Sequence, residues 1–117
     1  MNPTELKART KTFALRIIKL TRAIPKSDDA AHVITKQILR SSTSVAANYR
    51  ASCRPRSQAE FIAKIGTVEE ESDETAFWLE LLVESGIMPA RKLSALLSEA
   101  NELTAIMAAS RKTAAGK

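Results

Sequence analysis

The sequence predicts an all-α protein, an antiparallel up-down-up-down four-helix bundle, and three observations carry that expectation. Apolar residues recur at spacings of three, four and seven along four separate stretches, the signature of one buried helix stripe each. Only three glycines are present, and prolines fall where stretches begin or end. Aromatic residues make up 4% of the chain against a hydrophobic content of 44%. Aliphatic seams of that kind suit packed helices better than sheets, which draw on aromatic and β-branched residues.

The first helix starts at Asn2-Pro3-Thr4-Glu5. Asn2 is a capping residue, Pro3 suits the first helical position, and Glu5 stands where a capping-box acid belongs. Leu6, Phe13, Ile17, Leu20 and Ile24 form its apolar stripe, and Pro25 stops it. Its exposed face is basic throughout: Lys7, Arg9, Lys11, Arg16, Lys19 and Arg22.

Ser27-Asp28-Asp29 opens the second helix, with acids at the positive end of the helix dipole. Ile34, Ile38, Val45 and Tyr49 keep helical phase through Ser41-Ser42-Thr43-Ser44. Four hydroxyl residues in a row favour a loop on propensity alone, yet the unbroken phase predicts helix. Small residues there also let a neighbouring helix come close. Pro55 closes the segment.

Ser57-Gln58-Ala59-Glu60 is a capping box placed directly before an apolar run. Phe61, Ile65, Val68, Ser72, Thr75, Leu79 and Leu82 then alternate four- and three-residue steps, a heptad-like seam that ends at Ser85-Gly86. Pro89 opens the fourth helix, whose stripe is Leu93, Leu96, Leu97, Leu103 and Met107. Short links make successive helices antiparallel neighbours. The domain organisation is therefore one bundle domain over residues 1–110 and a frayed tail over 111–117.

Charge is divided unevenly along the chain. The net charge is +5, but residues 1–66 hold 13 Lys/Arg against 4 Asp/Glu, while residues 67–117 hold 5 against 9. A basic half and an acidic half fit either a polyanion-binding face or self-association through opposite patches. No stretch approaches the roughly 18 consecutive apolar residues of a membrane span, and nothing at the N-terminus resembles a signal peptide, so a cytoplasmic protein is expected.

Catalytic equipment is sparse. His32 is the only histidine and Cys53 the only cysteine, so nucleophile–histidine arrangements all depend on one imidazole. Glu69, Glu70, Glu71, Asp73 and Glu74 cluster on one helix, but two-metal bundle sites use Glu-x-x-His pairs on two helices. That cluster reads better as a solvated face, or as a surface meeting basic residues of another helix or subunit. Glycine-rich phosphate loops and CxxC pairs are absent from the sequence. The expectation is a non-enzyme with no cofactor and no metal.

Arg40, Arg50, Arg54, Arg56 and Lys64 gather around the second-to-third helix connection and are the candidate nucleic-acid-binding residues. Arg50 and Arg54 are four apart and share a helix face, and forked guanidinium donors match phosphate oxygens. Tyr49 offers a stacking surface if exposed. Gly66 and Asn48 read as structural: the glycine as a site of close backbone approach, within the bundle or between subunits, the asparagine as a hydrogen bond across a helix interface. Phe77 and Trp78 cannot both face the core that takes Leu79 and Leu82, so one of them is expected at an interface.

The stretch Gln37-Ile38-Leu39-Arg40-Ser41-Ser42-Thr43-Ser44-Val45-Ala46-Ala47-Asn48-Tyr49-Arg50-Ala51 resembles the signature of four-helix bundle proteins encoded in intervening sequences of bacterial 23S rRNA genes. The spacing to Arg56-Ser57, Glu60-Phe61 and Gly66, and the segment Leu20-Thr21-Arg22 with Pro25-Lys26, look similar too, and the likeness spans about residues 6 to 110. The resemblance implies a four-helix bundle. Through the related accessory protein of diversity-generating retroelements it also implies a homo-oligomer, a pentamer in that relative. The partners it implies are RNA or DNA and a reverse transcriptase or another protein. Two departures stand out: the acidic stretch Thr67 to Glu74, and Tyr49-Arg50-Ala51-Ser52 where relatives often carry Ile-Ala-Glu-Gly. Two functions stay open, an RNA-binding accessory bundle and an interaction module held by opposite charges.

Overall fold

In the computed structural model, which describes residues 1–116, four helices account for nearly the whole chain. They are α1 (Pro3–Ala23), α2 (Asp29–Ser52), α3 (Gln58–Glu84) and α4 (Ala90–Ala114). Their ends follow the local chemistry of the sequence. Asn2 Oδ1 accepts the Glu5 amide at 2.8 Å while its Nδ2 donates to the Glu5 carboxylate at 2.7 Å. Asp28 accepts from the Ala31 amide at 2.8 Å, and Ser57 Oγ from the Glu60 amide at 3.0 Å. Caps of this type stabilise a helix by about 1 kcal/mol each. The third start departs from the expected box in one respect: the Glu60 carboxylate accepts from the Arg56 amide at 3.3 Å, one residue before the cap.

The stop signals are equally local. Lys26 Nζ reaches back to the carbonyls of Thr21 and Ile24, supplying donors to the open C-terminal end of α1. Gly86 takes φ +80°, which only glycine adopts without strain, and its amide donates to the Val83 carbonyl at 3.0 Å. The chain then turns so that Met88 is buried and Ala90 starts α4. α4 continues past residue 110 to Ala114, and Arg111 and the Ala114 carbonyl both bond to α3. Residues 111–114 are thus docked helix rather than frayed tail, and Lys117 lies outside the described residues.

The four helices form an up-down-up-down bundle about 46 Å long and 21 Å across. α1 packs on α2, α2 on α3, α3 on α4, and α4 closes more lightly onto α1; α1 and α3 sit diagonally, without close backbone approach. At one end Pro25, Asp28, Ser85 and Gly86 line a common recess, bringing the first and third links together. At the other, Pro3, Cys53, Pro55 and Ser110 do the same for the N-terminus, the second link and the end of α4. That alternation is the antiparallel topology.

The core is aliphatic. Phe13, Ile17, Ile38, Val45, Ile65, Val68, Leu79, Leu82, Leu93, Leu103 and Met107 are fully buried. Each large side chain contributes on the order of 1.5–3 kcal/mol of transfer free energy. The hydroxyl run of α2 is helical as expected, with Ser41 and Ser42 fully buried. Ser41 and Thr75 share a hydrogen bond at 2.8 Å, so small polar side chains carry the middle of the α2–α3 interface. Ser72 Oγ, in the same seam, is buried with no partner.

Two structural readings of the sequence are corrected. Asn48 bonds within its own helix, to the Ser44 carbonyl at 3.0 Å and hydroxyl at 2.8 Å, because it lies on a flank rather than in a seam. Gly66 allows no close backbone approach within the subunit. A Cβ there would meet only the Arg111 side chain, at an ordinary 3.7 Å.

Candidate nucleic-acid interface

Three arginines of the bundle are met by an acid across a helix interface, whereas a second group of cations is left open. On α1, Arg9 is held by Glu99 of α4 through two bonds of 2.7 Å, with Glu102 at 3.7 Å. Those bonds hold the Glu99 carboxyl below its ordinary range and the Arg9 guanidinium above its own, partly offset by burial. On α4, Arg111 donates from Nε to Glu69 of α3 at 2.7 Å. On α2, the Arg40 guanidinium bridges Glu71, at 2.9 Å, and Glu74 of α3. Glu74 also accepts from the Trp78 indole at 3.0 Å. The acidic run of α3 is therefore divided: Glu69, Glu71 and Glu74 serve neighbouring helices, while Glu70 and Asp73 remain exposed.

The opposite fate falls on the α1–α2 face. Lys7 and Lys11, one turn apart on α1, stand across a groove of about 550 Å³ from Arg50 on α2 and Arg54 just beyond it. Ala14, Thr43, Ala46 and Ala47 form its floor, small residues that let two rows of cations flank an open channel. None of these four cations has an acidic partner among the described residues, and Lys7, Lys11, Arg50 and Arg54 are all exposed. Arg50 and Arg54 also line an adjoining recess of about 440 Å³ with Arg56, Glu60 and Lys64.

The five residues singled out in the sequence thus divide. Arg50, Arg54, Arg56 and Lys64 are brought together at the α2–α3 corner. Arg56 spends its Nε on Glu60 at 2.9 Å, which holds that carboxyl below its ordinary range, but its side chain stays 89% exposed. Arg40 is not in the groove, and its charge is met by α3. Tyr49 is only 5% exposed, and that burial pushes its hydroxyl up to about 12, so it offers no stacking face. Lys7 and Lys11 were missed as site residues. Their four-residue spacing matches that of Arg50 and Arg54, but only packing shows that the two pairs face one another.

A four-helix bundle with an unneutralised cationic groove between its first two helices is the class of protein these features define. The chain belongs to the 23S rRNA-intervening sequence protein family, whose model matches residues 4–109. The fold is also similar to the crystal structure of a protein of unknown function from the S23 ribosomal protein family of Bacteroides thetaiotaomicron. That likeness has a TM-score of 0.84 at 30% identity and covers 92% of this chain and 98% of that one. No functionally curated protein shows significant similarity to the chain. Among the described residues no helix is long and apolar enough to cross a membrane.

Proposed function

We propose that the protein is a non-enzymatic accessory factor that binds structured RNA through the α1–α2 groove. One observation carries the reading: Lys7, Lys11, Arg50 and Arg54 flank a small-residue channel and have no acidic partner among the described residues, whereas Arg9, Arg40 and Arg111 are met by neighbouring helices. Cations left open in a molecule that pairs so many others are available to phosphates. Arg56 and Lys64 extend the row toward α3. The groove has no exposed aromatic residue in its lining, so recognition is by backbone charge rather than base stacking. RNA is the polyanion proposed because the family's name links it to 23S rRNA.

The non-enzymatic part rests on separation. His32 lies in the first turn of α2 and Cys53 at its other end, roughly 30 Å away at 1.5 Å per residue. The test is fluorescence anisotropy with a labelled structured RNA over a salt series. Saturable binding is expected, with log K falling by about 0.9 for each phosphate neutralised per unit of log salt. Binding that does not saturate at moderate salt would overturn the proposal and leave the rival reading, an interaction module held by opposite charges.

A further inference from the structure

The cationic groove does not stop at the α1–α2 face. Arg50 and Arg54 line two recesses at once: the groove of about 550 Å³ shared with Lys7 and Lys11, and the adjoining one of about 440 Å³ shared with Arg56 and Lys64. Because α1 and α2 run antiparallel, Lys11 stands opposite Arg50, and Lys7, nearer the second link, opposite Arg54. Four residues advance a helix by about 6 Å, close to the step between neighbouring phosphates of a nucleic-acid strand. Arg56 and Lys64 form a third rung on the far side of the Arg50–Arg54 ridge. Arg56 gives its Nε to Glu60 while its side chain stays in water, and Lys64 has no ion-pair partner among the described residues.

This track turns. α1 and α3 lie on different sides of α2, so a chain passing from the first recess to the second bends over the ridge of one helix, about 10 Å across. A duplex is too stiff to bend within that distance and rests on one recess or the other. An unpaired strand follows the bend at little cost. The walls also hold little that meets a base. Thr43 spends its hydroxyl on the carbonyls of Leu39 and Arg40, at 2.6 and 3.2 Å, and Glu60 spends its carboxylate on Arg56. Alanines 14, 46, 47 and 51 supply the rest of the floor, and neither lining contains an aromatic ring. No ring there stacks on a base, and the polar groups left over are cations suited to phosphate.

We infer that the element taken by this track is an unpaired RNA strand, held by its phosphates with its bases turned to solvent. The inference rests on the RNA-binding reading of the groove and narrows it: a structured RNA is engaged at a loop, bulge or junction rather than along a stem. Bulk charge alone predicts the reverse. A double strand carries the denser charge and releases more counterions per phosphate neutralised, with a log–log slope of about 0.9 against about 0.7 for a single strand. A preference for the single strand therefore reports the shape of the track and not only its charge.

The test is anisotropy titration of the full chain with labelled RNAs of equal length: oligouridine, its duplex with oligoadenosine, and an abasic strand, with a structured RNA as reference. Oligouridine is expected to bind more tightly than the duplex, by roughly tenfold at about 0.1 M salt, if the third rung takes two further phosphates. The abasic strand should match oligouridine, since it keeps the phosphates and lacks only the bases. Arg56→Ala with Lys64→Ala, checked for folding by circular dichroism, should lower the oligouridine salt slope by about two units and leave the duplex slope unchanged. Duplex binding as tight as oligouridine, a weakened abasic strand, or an oligouridine slope untouched by the double variant would each overturn the inference and leave the groove as a polyanion site. The same holds if the structured RNA binds and the three probes do not. If nothing binds, the RNA-binding reading falls with it.

Discussion

Arg40 and Arg50 sit on the same helix, ten residues apart, and do different things. Arg40 meets the acids of α3, which already match its charge. Arg50 overlooks alanines and two lysines, with no carboxylate of the described residues within pairing distance. The two are alike in sequence terms, since both are guanidiniums near small residues. The difference shows that a basic count does not locate a binding surface. What locates it is which cations the fold leaves without an acid, because an ion pair already formed must be broken before a phosphate can take its place.

That comparison is broken most decisively by removing the open set. Lys7→Ala, Lys11→Ala, Arg50→Ala and Arg54→Ala together should lower the RNA-binding salt slope by about four units and abolish measurable binding at moderate salt. The melting temperature should hardly change, since none of the four makes an ion pair among the described residues. Arg40→Ala is the matched control. It should leave the slope unchanged and destabilise the fold by about 0.5–1 kcal/mol in denaturant titration, the range of a partly exposed ion pair. A reduced slope in Arg40→Ala would return that residue to the binding surface.

Smaller effects sharpen the structural side. Ser72→Ala removes a buried hydroxyl that has no partner, so the variant should be more stable by about 1 kcal/mol in urea unfolding. Gly66→Ala should stabilise by up to about 1 kcal/mol through helix propensity, because the added methyl meets only the Arg111 stem. A Gly66→Ala variant that keeps its stability but loses self-association would place this position at a subunit contact.

The closed set also has a pH signature. Arg9 holds the Glu99 carboxyl below its ordinary range, so the pair's contribution is complete at neutral pH. It is lost as pH falls through the lowered value, below the usual carboxylate pKa of about 4. The stability gap between wild type and Glu99→Gln should therefore be open at pH 7 and shrink on acidification. A gap independent of pH would mean that packing, not charge, makes the difference.

Most of the architecture was legible along the chain. Asn2 and Ser57 cap the helices they were expected to cap, the Ser27-Asp28-Asp29 start is realised with Asp28 as the cap, and Gly86 stops the third. The hydroxyl run of α2 stayed helical because Ile38, Val45 and Tyr49 fix the buried face whatever lies between them. The last turn of α4 was not legible. Its composition predicts fraying, and only Glu69 and Gln58 on another helix hold it. The site divided along the same line: Arg50 and Arg54 could be read from their spacing, whereas Lys7 and Lys11 could not.

The sequence by itself determined four helices, the stops of the first three and most of the residues of each buried stripe. Those depend on contacts within about four residues, where spacing and local hydrogen bonding suffice. Only the tertiary structure decided which acid neutralises which arginine and that α1 and α2 frame an open groove. Those depend on residues thirty to ninety positions apart, and their placement is set by how the helices pack around the core.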